Sequence, residues 1–153
     1  MPSVYVDADG CPVKKEVYRV AGRHDLNVTL VSNSRIQAPE GDWIRCVVVG
    51  AGFDAADDWI VDHVQAGDIV VTADIPLADR CLKKGARALT PSGKVFTEES
   101  IGGALASREL LSYLREMRTV TGGPPPFSSR DRSRFLHELD QIIREVNRAA
   151  GKE

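Results

Sequence analysis

Short apolar runs alternate with longer segments of mixed polarity along this chain. Residues 3–7 (SVYVD), 27–32 (NVTLVS), 44–49 and 68–72 (DIVVT) are β-branched and nearly continuous in apolar character. Strands covered on both faces of a parallel sheet have this pattern. A weaker run at 86–90 (ARALT) makes a fifth strand. Helical segments are predicted between them at roughly 12–23, 54–66 and 75–84, with Pro12 and Pro76 near two helix starts and Gly67 and Gly85 closing two helices. The alternation predicts an α/β fold: a three-layer α/β/α sandwich around a mostly parallel, doubly wound sheet of about five strands. Residues 33–43 (NSRIQAPEGDW) carry no helical pattern and are barely long enough for a parallel crossover. Two further helices are predicted at about 98–118 and 130–149, joined by TVTGGPPPFSS, a stiff bridge by its prolines.

At 153 residues the chain is expected to form one domain, 1–153, with a sizeable core. No apolar run approaches bilayer-spanning length and the N-terminus lacks a basic region followed by an apolar one, so a cytoplasmic location is expected and no membrane partner. Cys11, Cys46 and Cys81 do not form a metal motif. Cys46 and Cys81 read as buried thiols, and the acidic neighbourhood of Cys11 opposes a nucleophilic role. His24, His63 and His137 have no metal-ligand spacing and read as surface or packing residues.

The acids change the picture. Ligands of doubly wound sheets bind beyond the carboxyl ends of the strands, where the strand order reverses. Asp7 ends the first strand, Asp9 follows it, Asp74 follows the fourth, and Asp54, Asp57 and Asp58 open the helix after the third. All fall at one end of the sheet. Singly, each also suits a helix cap or first turn: Asp54 with Asp57 resembles a capping box, and Asp74 could cap the next helix. Together they repel. Two like charges about 4 Å apart cost roughly 4 kcal/mol at an effective dielectric near 20. A cation or raised pKa values must relieve that. Hard oxygen ligands in this number suit Mg²⁺ or Mn²⁺ and not zinc. Such a site, at Asp7, Asp9, Asp54, Asp57, Asp58 and Asp74, would activate water for attack on a phosphodiester.

The basic residues suggest the substrate. With those six carboxylates neutralised, the formal charge of −2 becomes +4. Lys14, Lys15, Arg19 and Arg23 recur on the first helix, Arg80, Lys83, Lys84 and Arg87 around the third, and Arg130, Arg132 and Arg134 at the last helix start. Each group also reads as a solvated helix face, and Ser128 with Asp131 as a capping box. The last group is nonetheless a candidate grip on a phosphate backbone, with Ser32 and Asn33 as further substrate contacts. Phe127 reads as an anchor for the linker. Nothing in the chain supports sequence-specific readout.

The stretches VDADGCPVKKEVYRVA, LVSNS, GFDAADDWIV, GDIVVTADIPLADRCLKKGA and TGGPPPFSSRDRSRFL, in that order over nearly the whole chain, resemble the bacterial YaiI/YqxD family. That family is grouped with the PIN-like nuclease domains. The resemblance implies an α/β/α sandwich with acids on Mg²⁺ or Mn²⁺. Asp7 would be the acid ending the first strand, Asp57 or Asp58 the acid on the central helix, and Asp74 the acid after the fourth strand. Asp9 and Asp79 would be additional ligands. The expected function is a metal-dependent nuclease acting on RNA or single-stranded nucleic acid, with Asp7, Asp58 and Asp74 as the catalytic acids. Two alternatives stand beside it. One is a non-catalytic module binding nucleic acid or protein. The other is a phosphatase of the haloacid-dehalogenase type, whose Asp-x-Asp motif Asp7-Ala-Asp9 matches and whose later Ser/Thr motif LVSNS imitates.

Overall fold

The fold is taken from a computed structural model, which describes residues 2–9, 11–39, 41–50, 55–102 and 127–149. Six strands form one sheet: β1 (Ser3–Asp7), β2 (Asn27–Ser32), β3 (Ile44–Val48), β4 (Ile69–Val71), β5 (Arg87–Leu89) and β6 (Val95–Phe96). Their order is β3-β2-β1-β4-β5-β6, with every pair parallel except β5 and β6. The order therefore reverses between β1 and β4, where Val6 lies opposite Val71. The sixth strand adds to the predicted five. It is two residues long, too short to show a period, and follows a turn in which Gly93 takes φ +89°.

The helices are α1 (Lys14–Arg23), α2 (Ala55–His63), α3 (Ile75–Lys83), α4 (described over 98–102) and α5 (Ser129–Ala149). The predicted helix over 98–118 is thus seen only at its start, and residues 103–126 lie outside the described set. Strand alternation builds two apolar layers. Val4, Val6, Val28, Leu30, Ile69 and Val71 join Val17, Val20 and Ala21 of α1 and Phe135, Leu139, Ile142 and Ile143 of α5 on one face. On the other, Val31, Val70 and Ala88 meet Ala56 and Ile60 of α2 and Leu77, Ala78 and Cys81 of α3. These are the three layers that the alternating pattern predicts.

Residues 33–43 do carry a parallel crossover and form no helix where described; Ile36, Ala38 and Trp43 pack on the α1 face instead. Cys46 departs from expectation. It is exposed, because β3 is an edge strand and only β2 pairs with it. Cys11 and Cys81 are buried, which pushes both thiols up, Cys81 to about 11, and both are poor nucleophiles.

Three contacts, two of them to α1, fix α5 and set its direction. Arg132 Nη1 of its first turn donates to Glu16 Oε1 (2.8 Å) and Oε2 (3.1 Å) in the first turn of α1. Farther along, Asp140 Oδ1 lies 2.6 Å from Nε2 of His24 at the end of α1. Beyond that, Glu145 pairs with Arg87 at the start of β5 at 2.9 Å. The two helices therefore run parallel, and both start at the carboxyl edge of the sheet. The predicted capping box is present: Ser128 N–H donates to Asp131 Oδ2 (3.1 Å) and Asp131 N–H to Ser128 Oγ (3.2 Å).

Candidate active site at the switch point

Asp7 is the last residue of β1, and its alternating side chain points away from the α1 layer that takes Val4 and Val6. Thr72, one residue past β4 and fully buried, donates from Oγ1 to Asp7 Oδ2 at 2.9 Å. The same oxygen accepts the Asp74 N–H at 3.0 Å. One hydroxyl thus joins the two strand ends across the reversal. Asp74 caps α3, its Oδ1 accepting the Leu77 N–H at 3.0 Å, as the sequence allowed. On the other side of Asp7, Asp9 is gripped from the end of β2: Ser32 Oγ donates to Oδ1 (2.5 Å) and Asn33 N–H to Oδ2 (2.9 Å). Ser34 N–H in turn donates to Ser32 Oγ at 3.1 Å.

These contacts gather Asp9, Asp7 and Asp74 in a row over the ends of β2, β1 and β4. The electrostatics agree. Burial pushes the Asp7 carboxyl above the ordinary carboxylate range, the Thr72 hydrogen bond pulls it down, and the Asp74 and Asp9 carboxylates push it up. A half-buried acid between two others is under the strain that a cation relieves.

The remaining candidates are placed elsewhere or differently. Asp58 is exposed and pairs with Arg80 Nη1 at 3.0 Å on α3. Asp57, one residue before it on α2, lies within electrostatic reach of the Cys81 thiol. Asp79 pairs with Lys83 one turn on, at 3.0 Å. Asp54 is outside the described residues. Among the described residues, no group of three or more His, Cys, Asp or Glu side chains is arranged to hold a metal ion. Ser32 is buried and holds Asp9, so it is a positioning group; Asn33 is exposed beside it. Arg132 is committed to Glu16, with its guanidinium 5.2 Å from the Phe127 ring, and so fastens α5, whereas Arg130 and Arg134 have no ion pair among the described residues. Thr72 was not a candidate. Its signal was a hydroxyl at a buried strand end two residues before an acid, which becomes meaningful only once β1 and β4 are known to be neighbours.

Thr72→Val tests this link. Valine keeps the volume but leaves the Asp74 N–H without its acceptor and Asp7 without its donor. The expected cost is about 1–3 kcal/mol in thermal unfolding. Any metal affinity or turnover that depends on Asp7 should fall about 10–100-fold, the usual effect of removing a group that orients a ligand.

The fold and this acid row define a doubly wound α/β/α protein with a carboxylate site at its switch point. The chain belongs to the YaiI/YqxD family: residues 5–145 match the family described as "Uncharacterized BCR, YaiI/YqxD family". Among its relatives, UPF0178 protein RPA2191 of Rhodopseudomonas palustris is 59% identical over 95% of this chain and 92% of its own length. UPF0178 protein bll3966 of Bradyrhizobium diazoefficiens is 54% identical over 95% and 87% respectively. UPF0178 protein RC1_2062 of Rhodospirillum centenum is 53% identical over 97% and 99%. No solved structure gives a significant match. No helix among the described residues is long and apolar enough to cross a membrane.

Proposed function

We propose that the protein is a Mg²⁺- or Mn²⁺-dependent nuclease that hydrolyses phosphodiester bonds, with RNA as its substrate. The observation that carries this reading is the convergence of Asp7, Asp74 and Asp9 at the strand-order reversal, with Asp7 half-buried and its carboxyl pushed up by burial and by the other two. The donor set fits such an ion. Mg²⁺ keeps several of its waters and takes one or two protein carboxylates together with substrate phosphates. Asp7 and Asp74 would hold it, each using the oxygen that has no hydrogen-bond partner among the described residues. When bound, the ion would neutralise phosphoryl oxygens and supply a water of lowered pKa.

The chain's own part is positional. Thr72 fixes one Asp7 oxygen and leaves the other without a hydrogen bond among the described residues. Ser32 and Asn33 hold Asp9 so that its charge stays beside Asp7. Asp57 and Asp58 on α2, and Asp54 before it, are the further acids this reading would recruit.

A second reading is favoured by the local duties of these acids: Asp74 caps its helix, Asp58 pairs with Arg80, and Asp9 is satisfied by two donors. It makes the protein a non-catalytic module that binds nucleic acid or protein. Incubating labelled RNA and DNA with Mn²⁺, Mg²⁺ or a chelator separates the two. Metal-dependent cleavage that disappears in Asp7→Asn supports the nuclease; its absence with both metals leaves the binding module. Trapping of a phosphoryl or trifluoroberyllate adduct on Asp7 would instead identify a phosphatase.

A further inference from the structure

Half of the lysines and arginines of the described residues are already engaged, Arg23 with Asp140 and Lys84 with the Val61 carbonyl among them. Arg80, Lys83, Arg87, Arg132 and Arg144 each pair with a carboxylate, and Arg45 lies 5.6 Å over the Trp59 ring. Lys14, Lys15, Arg19, Arg35, Lys94, Arg130, Arg134 and Arg148 have no carboxylate within ion-pairing distance among the described residues. The fold brings four of them, Lys14, Lys94, Arg130 and Arg134, to one edge of the sheet. Lys14 opens α1, which starts at the carboxyl edge immediately after β1. Arg130 and Arg134 lie in the first two turns of α5, which runs parallel to α1 and so starts at that same edge. Lys94 lies in the turn after β5, also a carboxyl end. Gly93 beside it packs so closely on Arg134 that an added Cβ would stand 2.6 Å from Arg134 Cγ. Three of the four are exposed, and Lys14 is partly so.

Four of the unpaired cations thus stand at the same sheet edge as the row of carboxylates. We infer that Lys14, Lys94, Arg130 and Arg134 form one rim that binds the phosphodiester backbone of a nucleic acid and lays it along the Asp7–Asp74 edge. This rests on the proposed function for its purpose but not for its existence, since the rim needs no metal to hold phosphates. Phe127, the one aromatic at the rim among the described residues, is packed on the core and under Arg132. Recognition is therefore by charge and not by base stacking, and is indifferent to sequence.

The test is fluorescence anisotropy of labelled single-stranded RNA and of a duplex of equal length, titrated with the full chain in chelator over a range of KCl. Four phosphate contacts predict a slope of log K against log[KCl] of about −2.8 for the single strand and about −3.6 for the duplex. The arm that binds more tightly identifies the substrate form. The triple variant K14Q/R130Q/R134Q is expected to lose about three-quarters of the slope and to weaken binding of every sequence alike. Arg148→Gln, at the opposite end of α5, is expected to change neither. Glutamine keeps the Arg134 stem on Gly93, and an unchanged melting temperature confirms that the triple variant is folded. A slope unaltered in the triple variant, or reduced equally by Arg148→Gln, overturns the rim. Because metal is excluded, these outcomes are independent of whether the protein cleaves.

Discussion

Asp7→Asn is expected to abolish metal-dependent hydrolysis, by about 10²–10³-fold or more, the scale seen when one preorganised electrostatic group is removed from a reaction centre. It should do so while making the metal-free protein more stable at neutral pH. The two effects share a cause. Burial and the neighbouring Asp74 and Asp9 charges disfavour the ionised form of Asp7, so its folded-state pKa lies above its unfolded value. A carboxyl shifted upward contributes stability that is fully present below the unfolded pKa and is lost as pH rises through the folded pKa. In chelator, the wild-type melting temperature should therefore carry a downward component as pH rises through the carboxylate range and above it. Asparagine, which cannot ionise, should lack that component and accept the Thr72 hydrogen bond through its amide oxygen. Melting curves of both proteins at a series of pH values measure the difference. A variant that is less stable at neutral pH would show that Asp7 has a structural role that outweighs its electrostatic strain.

Gly93→Ala is expected to cost about 3 kcal/mol or more, the upper end of the range for a residue held in a disfavoured backbone region. Gly93 has φ +89°, and its added Cβ would meet two backbone atoms, Arg134 C and Phe135 N, both at 2.7 Å. Backbone cannot rotate away as a side chain can. The turn or the start of α5 must shift, and Phe135, which is fully buried, shifts with it. A chain of this length should melt about 6–12 °C lower. Gly102→Ala supplies the contrast. That glycine is helical, exposed and has nothing within 4 Å of its added Cβ, so alanine should be neutral or stabilise by about 0.5–1 kcal/mol. Equal losses at the two positions would contradict the packing described for the β5–β6 turn.

The legibility of this chain follows the range of the interactions involved. The strands could be read because β2 and β4 are buried from both sides and so are apolar at nearly every position, while β1 alternates buried valines with half-buried residues. The caps could be read because Asp74 with Leu77 and Ser128 with Asp131 are three residues apart. Edge and centre could not be told apart: Cys46 sits in as apolar a run as Val70, yet β3 is on the rim of the sheet and β4 in its middle. Strand order likewise has no local signature, and it alone makes Thr72 a partner of Asp7 across 65 residues. The same holds for Arg132. In sequence it is one of three equivalent arginines, and only the parallel docking of α5 on α1 assigns it to Glu16, 116 residues away. The acids at the switch point were visible because they are fixed to strand ends. Which of them meet was not, because Asp58 has an arginine within reach that no spacing rule reveals.

The proposed chemistry requires Asp7 and Asp74, brought together by the reversal of strand order, to hold a divalent cation. Calorimetric titration of Mn²⁺ into the wild-type protein and into Asp7→Asn tests it directly. Saturable binding to the wild type that is lost or weakened at least tenfold in the variant is the predicted result. Equal binding to both proteins, or none to either, would contradict it.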